Sequence, residues 1–207
     1  MNPAMLLMAI PALVAAEATI QSIQSTPAMP SMPQWWEHWK RADSFKTTFI
    51  QKGESAAFGS LTKTGAIVTA KGGRLRVEYE KGVLLLSNGR LLIQYDPSTR
   101  TAQRFDLENV TEEWPLLRLL TDPSALSQVF NVTPHSDGKI KLTPKKQGGT
   151  ELPEILLEGK GAFLFQAEWK DGTGAKQTLT LTNPKNQPDP GNKPFEFNAP
   201  KGVKWIQ

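Results

Sequence analysis

Only two histidines, His38 and His135, are available for acid–base chemistry in this chain of 207 residues. A histidine base works with a nucleophile and an orienting acid, and neither stands in a recognisable motif of that kind. His38 lies among tryptophans in Gln34-Trp35-Trp36-Glu37-His38-Trp39, and His135 lies in the loop-like stretch from Val132 to Gly138. Both are expected at the surface or at an element's end. No His-x-x-His or Asp-x-Asp-x-Asn spacing offers a metal ligand set. The chain has no cysteine, which removes thiolate ligands, disulfides and thiol nucleophiles. Gly72-Gly73 and Gly148-Gly149 lack the strand-then-helix context of a phosphate loop and read as turns. Glu112-Glu113 complements the dipole of a nearby helix start. The residues therefore predict no catalytic site, no metal, no cofactor and no enzyme.

Abundant instead are apolar side chains at alternating positions. In Gly73 to Phe105, Leu75, Val77 and Tyr79 alternate with Arg74, Arg76, Glu78 and Glu80, which places apolar groups on one face of a strand and charges on the other. Val83-Leu84-Leu85-Leu86 follows. Ser87-Asn88-Gly89-Arg90 then predicts a tight type I′ hairpin turn, because Asn-Gly tolerates two positive φ values. Leu91 to Tyr95 returns to Asp96-Pro97-Ser98, where proline presets another turn. Thr101 to Phe105 leads out again.

Upstream, Ser44 to Lys52 reads as a strand with Phe45, Thr47 and Phe49 on one face, and Gly59 to Ala70 as a second. Downstream, Asn131 to Thr143, Glu151 to Glu158, Phe163 to Lys170, Lys176 to Thr182 and Phe195 to Asn198 restore the strand pattern between Gly, Pro, Asp and Asn turns. Helices are expected in two places. One begins at Gln34, just after Pro33, with Trp35, Trp39 and Ala42 on one face. The other is Glu108 to Phe130, read as two short helices, the second capped by Asp122 with Pro123 at its first position. About ten or eleven strands with so few helices predict an α+β, mainly β fold: one strongly curved antiparallel sheet with helices across its concave face.

The 24 Lys and Arg against 20 Asp and Glu give a formal charge of +4, but the basic residues are interspersed with acids. That pattern excludes a nucleic-acid footprint. Met5 to Ala16 is an apolar run too short to span a bilayer and suited to a signal peptide, ending after Ala16 or Ala18; residues 1–8 hold no Lys or Arg. Residues 17–33, with three prolines, read as a flexible linker, and residues 34–207 as a single domain.

The succession GRLRVEY, LLSNG, an aromatic-Asp-Pro turn, LTPK at Leu142 to Lys145, Asp171-Gly172 and a terminal FEFNAPKGV resembles the periplasmic outer-membrane lipoprotein carriers, the LolA family, from about Phe45 to Val203. The resemblance implies an incomplete barrel with a short-helix lid over an apolar cavity. It implies a monomeric periplasmic chaperone that binds the acyl chains of lipoproteins and carries them from the inner to the outer membrane. Its partners would be the acylated cargo, an inner-membrane lipoprotein-releasing transporter and an outer-membrane receptor. The alternative is a related half-barrel that binds or senses another lipid or amphiphile.

On that reading the acyl-chain cavity is expected to be walled by Phe49, Leu75, Val77, Tyr79, Leu84, Leu86, Leu92 and Tyr95. Which alternate face of Val83 to Leu86 points inward stays open, since that run does not alternate. Trp35, Trp39, Leu116, Leu117 and Leu120 are expected in the lid. Lys71 and Gly72 stand where better-known members have an Arg-Pro whose arginine holds the lid shut, so Lys71 is the candidate latch, without arginine's planar fork. Three acyl chains of about fifteen carbons carry roughly 35 kcal/mol of gross transfer energy at about 0.8 kcal/mol per methylene. That exceeds the practical affinity ceiling near about 20 kcal/mol, so a carrier that releases its cargo needs an opposing term. A lid that buries its own apolar side chains when empty supplies one.

Overall fold

The computed structural model describes residues 31–55, 59–113, 115–145 and 152–206. The expected signal peptide and all of the expected linker before Ser31 lie outside them. Helix α1 (Gln34–Arg41) begins directly after Pro33, whose extended backbone (φ −68°, ψ 145°) presents the first turn. Its Trp35, Trp36 and Trp39 are all buried. A long hairpin follows, β1 (Ser44–Ser55) and β2 (Gly59–Ala70), then β3 (Arg74–Tyr79), β4 (Leu84–Asn88), β5 (Leu91–Asp96) and β6 (Thr101–Asp106). Next come α2 (Leu107–Glu113), α3 (Pro115–Thr121), a 3-10 turn at Pro123–Ala125 and α4 (Leu126–Val129). The chain resumes as β7 (Phe130–Pro134), β8 (Ile140–Pro144), β9 (Ile155–Lys160), β10 (Phe163–Lys170) and β11 (Lys176–Asn186), and β12 (Lys204–Ile206) comes last.

All twelve strands join one sheet in the order β12-β6-β5-β4-β3-β2-β1-β11-β10-β9-β8-β7. It is mainly β, open and curved, and it does not close into a barrel. Neighbours pair antiparallel except β12, which runs parallel to β6. Register sorts the two faces, because directly paired residues point the same way. One row runs Phe45, Thr69, Leu75, Ser87, Leu92, Phe105 across five adjacent pairings. The next runs Thr47, Ile67, Val77, Leu85, Gln94. These rows face the helices: α1 packs on β9 and β10, α2 on β5 and β6, and α3 on β2 and β3. The opposite face of β3 to β5 carries a second layer, the C-terminal segment. Arg74 forms a bidentate ion pair with Asp189 at 2.6 and 3.0 Å, Arg76 donates to the Pro194 carbonyl, and Phe195 is buried.

Three local expectations are corrected. Asn88 does not take a positive φ; only Gly89 does, at 97°. The Asn88 side chain instead accepts from the Arg90 and Leu91 amides at 3.0 and 2.9 Å, replacing the type I′ geometry with a side-chain-closed turn. Gly89 is needed on other grounds, since a Cβ there would meet the Gly72 carbonyl oxygen of the β2–β3 turn. Asn131 to Thr143 is not one strand but the β7–β8 hairpin, turned at Asp137 (φ 59°). The final strand is Lys204–Ile206 rather than Phe195 to Asn198; with the β7–β8 hairpin in place of one strand, the sheet has twelve strands where ten or eleven were expected. Pro194 withholds a ladder amide, and Lys193–Phe195 coils into a 3-10 turn. Asp122 does cap its turn, accepting from the Ala125 amide at 3.3 Å with Pro123 first, but that turn is 3-10 before it becomes α4.

Candidate functional site

Proline at the start of α3 and the run Leu116-Leu117-Arg118-Leu119-Leu120 put Leu116, Leu117 and Leu120 on one side of a short helix. They face the concave sheet across a cavity of about 430 Å³. Its other wall is Phe49 and Gln51 of β1, Ile67 of β2, Val77 and Tyr79 of β3, Leu85 of β4, and Leu179 of β11. Leu152, Ile155 and Trp169 close the side toward β9 and β10. Gly65 sits between Phe49 and Tyr79 in the sheet, and with no side chain there the two rings meet edge to face at 5.3 Å. Burial pushes the Tyr79 hydroxyl pKa above its ordinary value, so the ring stays neutral.

The polar members of the lining cluster at one end. Gln51, Asp171 and Gly172 lie where the β1–β2 hairpin projects and β10 turns into β11. Asp171 is held as the carboxylate, its pKa lowered by hydrogen bonds from Thr173, Gln177 and the amides of Thr173 and Ala175. The cavity therefore has an apolar interior and a wet mouth.

Two tryptophans fix the helices to the sheet. Trp35 donates its indole N–H to the Gly138 carbonyl at 2.9 Å, and its ring lies directly on Gly159 of β9. Trp39 donates to the Leu119 carbonyl at 3.3 Å, tying α1 to α3, and stacks against Phe45 at 4.4 Å. Both are core residues beside the cavity and do not line it.

Of the eight residues expected in the wall, Phe49, Val77 and Tyr79 line the cavity. Leu75 and Leu92 share its face one row further on, packed in the core. Leu84, Leu86 and Tyr95 are corrected to the other face. Leu84 pairs with Glu78 and Tyr95, and Leu86 with Arg76 and Ile93, all on the convex side. Leu86 is nonetheless only 2 % exposed, where the Lys193–Phe195 turn packs on β4, and Tyr95 meets Phe197 at 5.5 Å. Burial in a four-residue apolar run did not tell the two faces apart. The inward residue is Leu85, which the sequence did not single out because its neighbours are equally apolar; Ile67, between Ala66 and Val68, was missed for the same reason, while Leu179, also missed, does stand at an alternating position.

Lys71 is corrected as well. Its ammonium pairs with the Asp43 carboxylate, both side chains about two-thirds exposed, and its amide donates to the Asp43 carbonyl at 2.8 Å. It closes the start of β1 onto the end of β2 and does not hold α3. His38 is exposed, and His135 is an exposed residue entering the β7–β8 turn. Among the described residues no cluster of three metal-ligating side chains occurs, and no helix is long and apolar enough to cross a membrane.

Fold and cavity together define an open half-barrel whose concave, apolar face is covered by short helices. The sequence profile of the outer membrane lipoprotein carrier protein family LolA matches residues 40–198, and the chain belongs to that family. The chain is similar to the outer-membrane lipoprotein carrier proteins of Pseudomonas fluorescens strain Pf0-1 (28% identity, 59% of this chain, 61% of that protein) and of Pseudomonas aeruginosa strain UCBPP-PA14 (28% identity, 60% and 61%). It thus spans about three fifths of the length of these curated relatives. Among solved structures it is similar to a LolA superfamily protein from Nitrosomonas europaea, with 13% identity, a TM-score of 0.48, 81% of this chain covered and 99% of that one.

Proposed function

We propose that this protein is a periplasmic carrier that holds the acyl chains of lipoproteins between the sheet and α3 and takes them from the inner to the outer membrane. The observation that carries the reading is the apolar cavity under Leu116, Leu117 and Leu120. An apolar cavity of about 150 Å³ takes up benzene. On that scale about 430 Å³ has room for one long acyl chain and not three. Loading a triacylated cargo displaces α3 from β2 and β3, and the free energy of uncovering its leucines opposes binding and permits release. No nucleotide or covalent step is required of this chain; direction comes from an inner-membrane transporter that loads it and an outer-membrane receptor that unloads it. Phe49, Val77, Tyr79 and Leu85 form the acyl wall, with Leu75 and Leu92 reached when the lid lifts.

Native mass spectrometry of the protein secreted into its own periplasm and purified without detergent tests this. The expected result is a population heavier by an intact acylated lipoprotein. A population carrying only free lipid would replace the carrier reading with amphiphile binding, and a bare mass throughout would remove both.

A further inference from the structure

The β1–β2 hairpin outruns its neighbour. β2 pairs with β1 over its whole length, from Ala70 to Gly59, but with β3 only from Ala70 to Gly65. The last β3-side bond is the Glu80 amide donating to the Thr64 carbonyl at 3.0 Å, after which the chain turns away toward β4. That bond fixes direction: in an antiparallel sheet alternate residues point their N–H and C=O to the same side. With Thr64 facing β3, Thr62 and Ser60 also direct theirs away from β1. Among the described residues nothing pairs with them. The edge is therefore an open strand edge about 17 Å long at about 3.4 Å per residue.

This edge borders a groove of about 390 Å³, whose other side is Glu80, Lys81 and Val83 of the β3–β4 turn. The groove shares Gln51, Tyr79 and Leu85 with the apolar cavity, so it continues the cavity's wet mouth. Leu61, on the cavity side of β2, is 60 % exposed there.

We propose that the β2 edge from Ser60 to Thr64 takes the extended polypeptide of the cargo immediately after its acylated residue, adding it as a strand collinear with β3. The inference rests on the carrier reading: with acyl chains inside the cavity, the peptide they are attached to leaves by this mouth. Main-chain hydrogen bonding suits the task, because it grips any extended peptide whatever its side chains, and a carrier of many cargoes needs that tolerance. Leu61 and the stem of Lys63 offer shallow apolar contact to alternate side chains, and proline in the first cargo positions would lower retention.

The test compares wild type with Thr62→Pro, which deletes an amide that faces away from β1 and leaves the hairpin ladder intact. Three probes are used: palmitate, a synthetic tripalmitoylated hexapeptide, and the same lipopeptide with alternate amides N-methylated. Thr62→Pro is expected to bind the lipopeptide about fivefold more weakly, the loss of one main-chain hydrogen bond, and palmitate unchanged. Wild type should bind the N-methylated lipopeptide more weakly still, since several donors are lost at once, and the lipopeptide should slow amide exchange at Ser60, Thr62 and Thr64. Equal lipopeptide affinity in wild type and variant, or no protection of those amides, overturns the proposal while the carrier reading stands. Protection that grows with protein concentration alone assigns the edge to a second copy and also overturns it. Failure of wild type to bind either palmitate or lipopeptide removes the carrier reading and this inference with it.

Discussion

Gly159 shows how much of this molecule turns on single close approaches. A Cβ built there would lie 2.1 Å from two carbons of the Trp35 indole, so the ring rests on bare backbone. Alanine ordinarily suits a strand better than glycine, and here the sign reverses. Gly159→Ala must push Trp35 away and strain its bond to the Gly138 carbonyl. A loss of about 1 to 3 kcal/mol is expected, in the range of overpacked cores, read as a lower denaturant midpoint at unchanged slope. Its partner tryptophan works differently. Trp39 donates to a backbone carbonyl of α3 and packs its ring on Phe45, so one side chain of α1 touches both the lid and the sheet.

Among the elements, α3 has the most to do and the least to hold it. It is seven residues long, begins at proline and receives its stability from packing rather than propensity. Leu117 is 6 % exposed and faces the cavity. Leu117→Asp puts a carboxylate against Val77 and Leu85, and solvating it requires α3 to lift. Faster amide exchange is expected across α3 with the β1–β2 ladder still protected, together with altered release of a bound fatty-acid probe. Uniformly faster exchange through sheet and helix alike would show that α3 is part of one cooperative core and not a separable lid.

At the scale of the whole molecule the sheet has two coverings, helices on the concave face and the C-terminal segment on the convex one. The second is pinned by Arg74 and Asp189. The Arg74 guanidinium, with help from the Gly191 amide, holds the Asp189 carboxyl below the ordinary aspartate value of 3.8. A carboxylate with a lowered folded pKa adds stability above its unfolded value and loses it as pH falls through the folded one. The C-terminal segment is therefore expected to stay docked from neutral pH to below the usual aspartate range and to loosen only under stronger acid. Asp189→Asn should bring the same loosening at pH 7, seen as protease cleavage after Lys201 while the sheet remains intact. Resistance of this variant to cleavage would assign the docking to Phe195 and Phe197 alone.

The sequence by itself determined the kind of fold and most of its elements. Alternation in Arg74 to Tyr79 and in Ser44 to Lys52 sets one face apolar whatever lies beyond, Pro33 and Pro115 fix where two helices begin, and the absence of cysteine closes off thiol chemistry outright. These are local properties, carried by backbone geometry within a few residues. What only the tertiary structure decided is how distant segments meet. Leu84, Leu85 and Leu86 are chemically alike, and register with Glu78 and Val77 alone separates the inward residue from the two outward ones. Lys71 holds the right place for a latch, but Asp43 takes its charge first. The open edge of β2 exists because β3 is six residues long beside a partner of twelve. Strand pairing and face selection are long-range choices, made by which surfaces the folded chain can bury together.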